Sequence, residues 1–193
     1  MRFSIGTMKK IASWLALALT VLVYVITPAL TGNASTSRAP VPVNGIHAEV
    51  LGVYFTPPTG AASAIVQTID ASQREVLVQA YGFTHNAIAQ ALVRAHQRGV
   101  KVRVLLDKKS EKTNRYVIDV LTQAQIDIRH DGKHAIAHNK VMVIDESVVI
   151  TGSFNFTNSA ETRNAENFLV LKSDELAKRY KSEWQSHWSH GVE

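Results

Sequence analysis

From Ile46 onward the sequence alternates between two hydrophobic periods, and that alternation narrows the folds open to it. Val50–Phe55, Glu75–Phe83 and Val100–Leu106 are short runs rich in apolar and β-branched residues and read as strands. Between them, Ala61–Ala71, Asn86–Gln97 and Tyr116–Gln123 place apolar residues at helical spacing, with Gly99 as a stop after the second. Shorter strands are predicted over Ile126–Arg129, Lys140–Ile144, Val148–Thr151 and Asn167–Leu171, and a last helix over Asp174–Trp188. Strands separated by helices imply an α/β fold: a mixed, largely parallel sheet flanked by helices on both faces. The chain has no cysteine, so the core must hold without disulfides, and roughly 150 residues suffice for that. Trp184 and Trp188 lie four apart on the last helix, a spacing that suits core packing better than base stacking.

The first 34 residues follow a different logic. Arg2, Lys9 and Lys10 precede an apolar run from Ile11 to Leu30, and Gly32-Asn33-Ala34 supplies a small-x-small site. This is the order of a secretory signal. An uncleaved membrane anchor is the alternative, since the run could cross a bilayer core of about 30 Å. Either way the remainder is expected outside the cytoplasm, as a periplasmic or secreted protein or an anchored one. Residues 35–45 are rich in serine and proline and read as a linker, leaving 46–193 as one catalytic domain. The net charge of +5 shrinks to +2 without the leader, because all three leader charges are basic. Global charge is therefore a weak pointer to nucleic acid. Two local clusters are candidate phosphate guides: Lys108, Lys109, Lys112 and Arg115, and Arg129 with Lys133.

Chemistry concentrates in the 31-residue stretch His138–Phe168. His138 and Lys140 are two apart, so on a strand they share a face about 7 Å apart and can address one phosphate. Ser153 and Asn155 share a face in the same way and offer neutral donors to developing charge. Asp145 has the opposite parity and reads as a brace for the turn Asp145-Glu146-Ser147 between two strands. Glu166 is the better carboxylate to hold the second imidazole nitrogen and fix its tautomer. Gly152 is a turn position. Taken singly, each residue has an ordinary reading: a surface histidine, a solubility lysine, a turn glycine. Their joint order is what points to phosphodiester chemistry run by side chains. His130, His134 and His138 recur every four residues, a spacing that on a helix would group them as zinc ligands. On a strand that spacing separates them by about 13 Å, too far for one ion, so no metal and no cofactor is expected.

The pattern His-x-Lys-x4-Asp-x6-Gly-Ser-x-Asn, filled here by His138, Lys140, Asp145, Gly152, Ser153 and Asn155, resembles the signature of the phospholipase D superfamily. The small size, the single motif copy, the leader and the segment Asn164-Ala165-Glu166-Asn167 resemble its bacterial EDTA-resistant endonucleases. The resemblance implies that fold, a nucleophilic His138 forming a phosphohistidine, phosphate binding by Lys140 and Asn155, and support of the histidine by Ser153 and Glu166. It also implies that no divalent metal is needed.

One copy of the motif is half of what a double displacement at phosphorus requires, since a second group must protonate the leaving oxygen. A two-fold homodimer with both His138 rings at the interface supplies it. The leading expectation is a non-specific endonuclease acting on DNA, with RNA as a further candidate. The alternative enzyme is a phosphatidyl or cardiolipin hydrolase using the same residues, which an apolar surface beside the site would favour. A non-catalytic nucleic-acid binder fits the intact His138/Lys140/Asn155 set poorly.

Overall fold

The computed structural model describes residues 45–58 and 60–193. The leader and the linker up to residue 44 lie outside them. Among the described residues no helix is long and apolar enough to cross a membrane.

Seven strands form one sheet: β1 (Glu49–Thr56), β2 (Glu75–Ala80), β3 (Lys101–Asp107), β4 (Asp127–Asp131), β5 (Lys140–Ile144), β6 (Val148–Gly152) and β7 (Glu166–Lys172). Their order is β1-β7-β6-β5-β2-β3-β4. The sheet is mixed, but the expectation that it is largely parallel is corrected. Only β2·β3 and β3·β4 pair in parallel, whereas β1·β7, β7·β6, β6·β5 and β5·β2 are antiparallel. For β5·β6 the reason is connection length. A parallel crossover needs a dozen or more residues, and the three-residue turn Asp145–Ser147 between β5 and β6 leaves only a hairpin.

Helices cover both faces. On one side α1 (Ala61–Asp70), α2 (Asn86–Gln97) and α3 (Glu111–Gln123) bury Ile65, Ile69, Ile88, Leu92, Val117 and Leu121 against Val76, Val78, Val104 and Met142. On the other, α5 (Asp174–His190) covers Leu77, Leu105, Val143 and Val149 with Ala177 and Trp184. Successive residues of a strand point to opposite faces, so β2, buried at all six positions, reads as continuous apolar sequence. Trp184 is core: its ring is 1% exposed and its Nε1–H donates to the Val78 carbonyl at 2.8 Å. The edge strand β1 differs, because α5 does not reach it. Val53 and Phe55 share a face of β1 and remain 51% and 67% exposed, and Leu51, at a break in the pairing with β7, is 48% exposed.

Two boundaries and one unpredicted helix depart from expectation for local reasons. The strand predicted to Phe83 ends at Ala80, because the Phe83 N–H turns to the Asn114 side chain (2.8 Å) while the Asn114 amide donates to the Tyr81 carbonyl (2.8 Å). Helix α3 begins five residues earlier than its apolar period, at Glu111. A single turn of 3-10 helix, Lys108–Ser110, leads into it, with Asp107 accepting from the Ser110 N–H. Helix α4 (Asn158–Thr162) is one short turn capped by Thr157 and has too few residues to show a period.

Candidate active site

The groups singled out in the sequence meet at one end of the sheet, where β2 leaves it, β5 and β7 enter and β6 ends. Pairing fixes this: Ala80 lies opposite Lys140, and Gly152 opposite Phe168. That crossing admits only glycine at 152, since a Cβ there would sit 2.2 Å from the Asn167 carbonyl oxygen and 2.6 Å from the Phe168 Cα. The tight approach brings Ser153 to the start of β7. Its hydroxyl donates to Glu166 Oε2 at 2.6 Å and accepts from the Asn167 N–H at 3.1 Å.

His138 lies on the loop before β5 rather than on the strand, and its side chain is exposed. The period-two separation from Lys140 therefore does not hold. Instead the buried Lys140 ammonium sits on the imidazole, 2.9 Å from Nδ1 and 3.1 Å from Nε2, and donates to the His138 carbonyl at 2.9 Å. Whichever ring nitrogen lacks a proton accepts from it. Tyr81, unremarked in the sequence, stacks obliquely on the same ring at 4.6 Å between centroids, with the ammonium 5.5 Å from its own ring centre. Nothing in the sequence marks Tyr81 as a site residue, because it ends an ordinary apolar strand.

Glu166 is placed differently from the expectation that it holds the imidazole. Its carboxylate is engaged by Ser153 and, at 3.0 Å, by the Asn164 amide. It reaches the centre electrostatically: burial pushes the Lys140 ammonium below the ordinary lysine range, and the negative charge of Glu166 partly restores it. Removing that carboxylate must lower the lysine further. The alkaline limb of a pH–rate profile governed by Lys140 is accordingly expected below the ordinary lysine range, and Glu166→Gln should move it further down, which kcat/KM measured across pH will read. Asn155 stands at the same rim, its Oδ1 accepting from the Gly82 N–H at 3.4 Å, so its amide nitrogen is available as a donor.

Asp145 is turned away from this cluster. Its carboxylate accepts from the backbone N–H groups of Gln73, Arg74 and Glu75 at 2.8, 2.7 and 2.9 Å, and the Arg74 guanidinium bonds its carbonyl. Asp145 and Glu146 both have positive φ, 52° and 53°, a conformation that aspartate tolerates better than most residues. Asp145→Ala orphans three donors at the start of β2, and a loss of about 2–3 kcal/mol of stability is expected in urea unfolding. kcat of the folded fraction should change less than the stability does.

Three of the six residues in the basic clusters are engaged locally. Lys108 pairs with Glu111 at 3.2 Å and Arg115 with Asp119 at 3.1 Å. Arg129 packs its guanidinium 4.8 Å from the Trp188 ring and donates to the Trp188 carbonyl. The three histidines at four-residue spacing go to separate surroundings. His130 is buried on β4, His134 joins a carboxylate on the following loop, and His138 reaches the rim.

Comparison with known proteins agrees with this geometry. The family model described as the PLD-like domain of cardiolipin synthase matches residues 65–188. A phospholipase D of Rickettsia prowazekii is 47% identical over 132 residues, 68% of this chain and 64% of that protein. The human mitochondrial cardiolipin hydrolase is 32% identical over 128 residues, 66% of this chain and 51% of that protein. The chain thus spans less than two thirds of the length of these curated relatives. Among solved structures, the phospholipase D family member Nuc from Salmonella typhimurium superposes with a TM-score of 0.72 at 33% identity, covering 75% of this chain and 97% of Nuc. NucT from Helicobacter pylori does so with 0.69 at 25% identity, covering 76% of this chain and 99% of NucT.

Proposed function

This chain belongs to the phospholipase D superfamily, and from that footing we propose that it is a metal-independent phosphodiesterase, a non-specific endonuclease that cleaves DNA and accepts RNA through a covalent phosphohistidine. The observation that carries the reading is the Lys140 ammonium seated against an exposed His138 ring. A phosphodiester arriving there takes the ammonium onto a non-bridging oxygen and frees a ring nitrogen. That nitrogen attacks phosphorus, the bond to the leaving oxygen breaks, and a protonated imidazole supplies the leaving group's proton. Water then attacks the phosphohistidine, passing its proton to the second, now neutral imidazole, and the bond from phosphorus to His138 breaks to restore the ring. Lys140 and the Asn155 amide hold the equatorial oxygens as charge builds. Ser153 and Glu166 hold the rim and the charge of Lys140.

The protonated imidazole is His138 of a second copy. The described chain offers one His-x-Lys at an open sheet end, and a two-fold dimer places two such ends together. A fully active monomer in sedimentation at assay concentration would sink this part. The export leader puts the enzyme in the periplasm or outside the cell; amino-terminal sequencing of the exported chain tests it, with a start after Ala34 expected.

For the substrate, the reading rests on extent. The folded unit matches nearly the whole of Nuc and NucT, but only part of the relatives named for lipid hydrolysis. A second reading, a phosphatidyl or cardiolipin hydrolase, is favoured by those names and by the exposed apolar residues Leu51, Val53 and Phe55. They lie along β1, whose last residue, Thr56, donates to the Asn164 carbonyl at 3.1 Å beside Glu166. Incubation with plasmid DNA, RNA and phosphatidyl lipid vesicles in excess EDTA decides between them. Cleavage of nucleic acid supports the first reading; turnover of lipid alone moves the function to the second.

A further inference from the structure

At the carboxyl end of β4, away from the His138 cluster, four ligating groups converge from two distant parts of the chain. Asp131 ends β4, His134 lies on the loop after it, and His187 and His190 stand one turn apart near the end of α5. Asp131 Oδ2 is 2.9 Å from His134 Nδ1 and 2.8 Å from His187 Nδ1, and Oδ1 is 3.4 Å from His190 Nε2. One donor atom from each of the four falls within 4.8 Å of all the others. The three rings touch one another, with centroids 4.6, 5.4 and 5.5 Å apart.

Hydrogen bonding alone accounts poorly for this gathering. The Asp131 side chain is fully buried and already accepts from the backbone N–H groups of Lys133 and His134. Three imidazolium rings packed together around one carboxylate would repel. Three neutral rings leave lone pairs to place, and His190 Nε2 is shut off from solvent with no hydrogen-bond partner. A divalent cation resolves both difficulties, because it takes neutral imidazole nitrogens and a carboxylate together. Glu183 lies 3.5 Å from His187 Nε2, where it can accept that N–H and leave Nδ1 free to coordinate, the outer-shell arrangement common around metal-bound histidine.

We propose that Asp131, His134, His187 and His190 form a structural site for a tetrahedral divalent cation of the zinc class. At metal–ligand distances of about 2.0–2.1 Å, tetrahedral donors lie on the order of 3.3 Å apart. The observed separations therefore need ring rotation and no backbone rearrangement. All four positions being protein groups, the site is closed, and its role is to fasten rather than to react. It ties the end of α5 to the loop that runs from His134 to His138. The antiparallel pair His130–Val192, with its two backbone hydrogen bonds, fastens the same corner beyond the ligands. The site is separate from the phosphodiesterase reading and holds whichever substrate proves correct.

The test uses the full chain stripped with EDTA and desalted, then titrated with Zn2+ against a competing chromophoric chelator, with metal content measured by mass spectrometry. One zinc per chain at sub-micromolar affinity is expected, with a rise in the thermal midpoint of about 5 °C or more at saturation. His134→Ala, on an exposed loop that tolerates the change, and His187→Ala/His190→Ala should each weaken binding by at least ~100-fold and abolish the midpoint shift. His138→Ala should leave both untouched. The proposal is overturned if the parent retains no zinc, if the ligand variants bind it as tightly as the parent, or if His138→Ala is the change that removes it. Because metal content and thermal midpoint are the readouts, a failure here stays distinct from any failure of catalysis.

Discussion

His138→Ala should lower kcat on any phosphodiester substrate by about 10⁴-fold or more, with the thermal midpoint unchanged within error. The size follows from the role: without the imidazole no covalent intermediate forms, and what remains is the electrostatic help of Lys140 and Asn155 to direct attack by water. The neutrality toward folding follows from exposure, since the ring is held by the Tyr81 face and the Lys140 ammonium and fills no part of the core. Substrate binding should persist, because the phosphate ligands stay in place. Single-turnover kinetics beside a binding titration separates the two quantities. A variant that binds substrate normally and still turns over within tenfold of the parent removes His138 from the reaction.

Lys140→Met should reduce kcat/KM by about 10²–10³-fold, the usual effect of losing one preorganised charge aimed at a transition state. Here stability and activity are expected to move in opposite directions. Burial depresses the folded-state pKa of Lys140, so the charged form is disfavoured on folding. Such a lysine lessens stability at every pH where it is charged, and the effect fades as pH rises through the folded pKa. Methionine keeps the length without the charge, so the variant should melt at the same temperature or higher while catalysing poorly. That combination marks a residue kept for chemistry; a variant that loses activity only because it unfolds would show both falling together. Lys140→Arg is not a conservative rescue, since a planar guanidinium cannot sit on both ring nitrogens as the ammonium does.

The elements were legible in the sequence wherever a segment carries its own hydrophobic period. β2, β3, β5 and β6 announce themselves as apolar runs because helices cover both faces of the sheet there. The direction of pairing was less legible. Alternating strands and helices suggested a parallel sheet, and that holds for β2, β3 and β4, where crossover helices intervene. Residues 140–172 pair antiparallel instead, and the three-residue turn between β5 and β6 dictates a hairpin that the helix–strand rhythm conceals. The start of α3 was hidden because its first turn, residues 111–114, is polar throughout and carries no apolar period.

The site was legible in composition and less so in geometry. Parity along a strand separates Asp145 from His138 and Lys140, and in the structure the Asp145 carboxylate does serve the β2 backbone. The same parity argument misplaced His138, which lies on a loop where period two has no force. It also assigned Glu166 to the imidazole, although a 2.6 Å bond to Ser153 holds it. Tyr81 left no trace in the sequence, and neither did the convergence of Asp131 and His134 with His187 and His190. Their ligand set spans more than fifty residues, and only the packing of α5 on the sheet brings the two halves together.

The proposed catalysis turns on one event, the transfer of phosphorus to His138 and then to water. The stereochemical course of hydrolysis tests it most directly, using an oligonucleotide with a chiral phosphorothioate at the scissile position and isotopically labelled water, in the presence of EDTA. Two successive in-line displacements invert phosphorus twice, so the account predicts net retention of configuration. Net inversion would mean a single attack by water and would contradict it, whatever the effect of replacing His138.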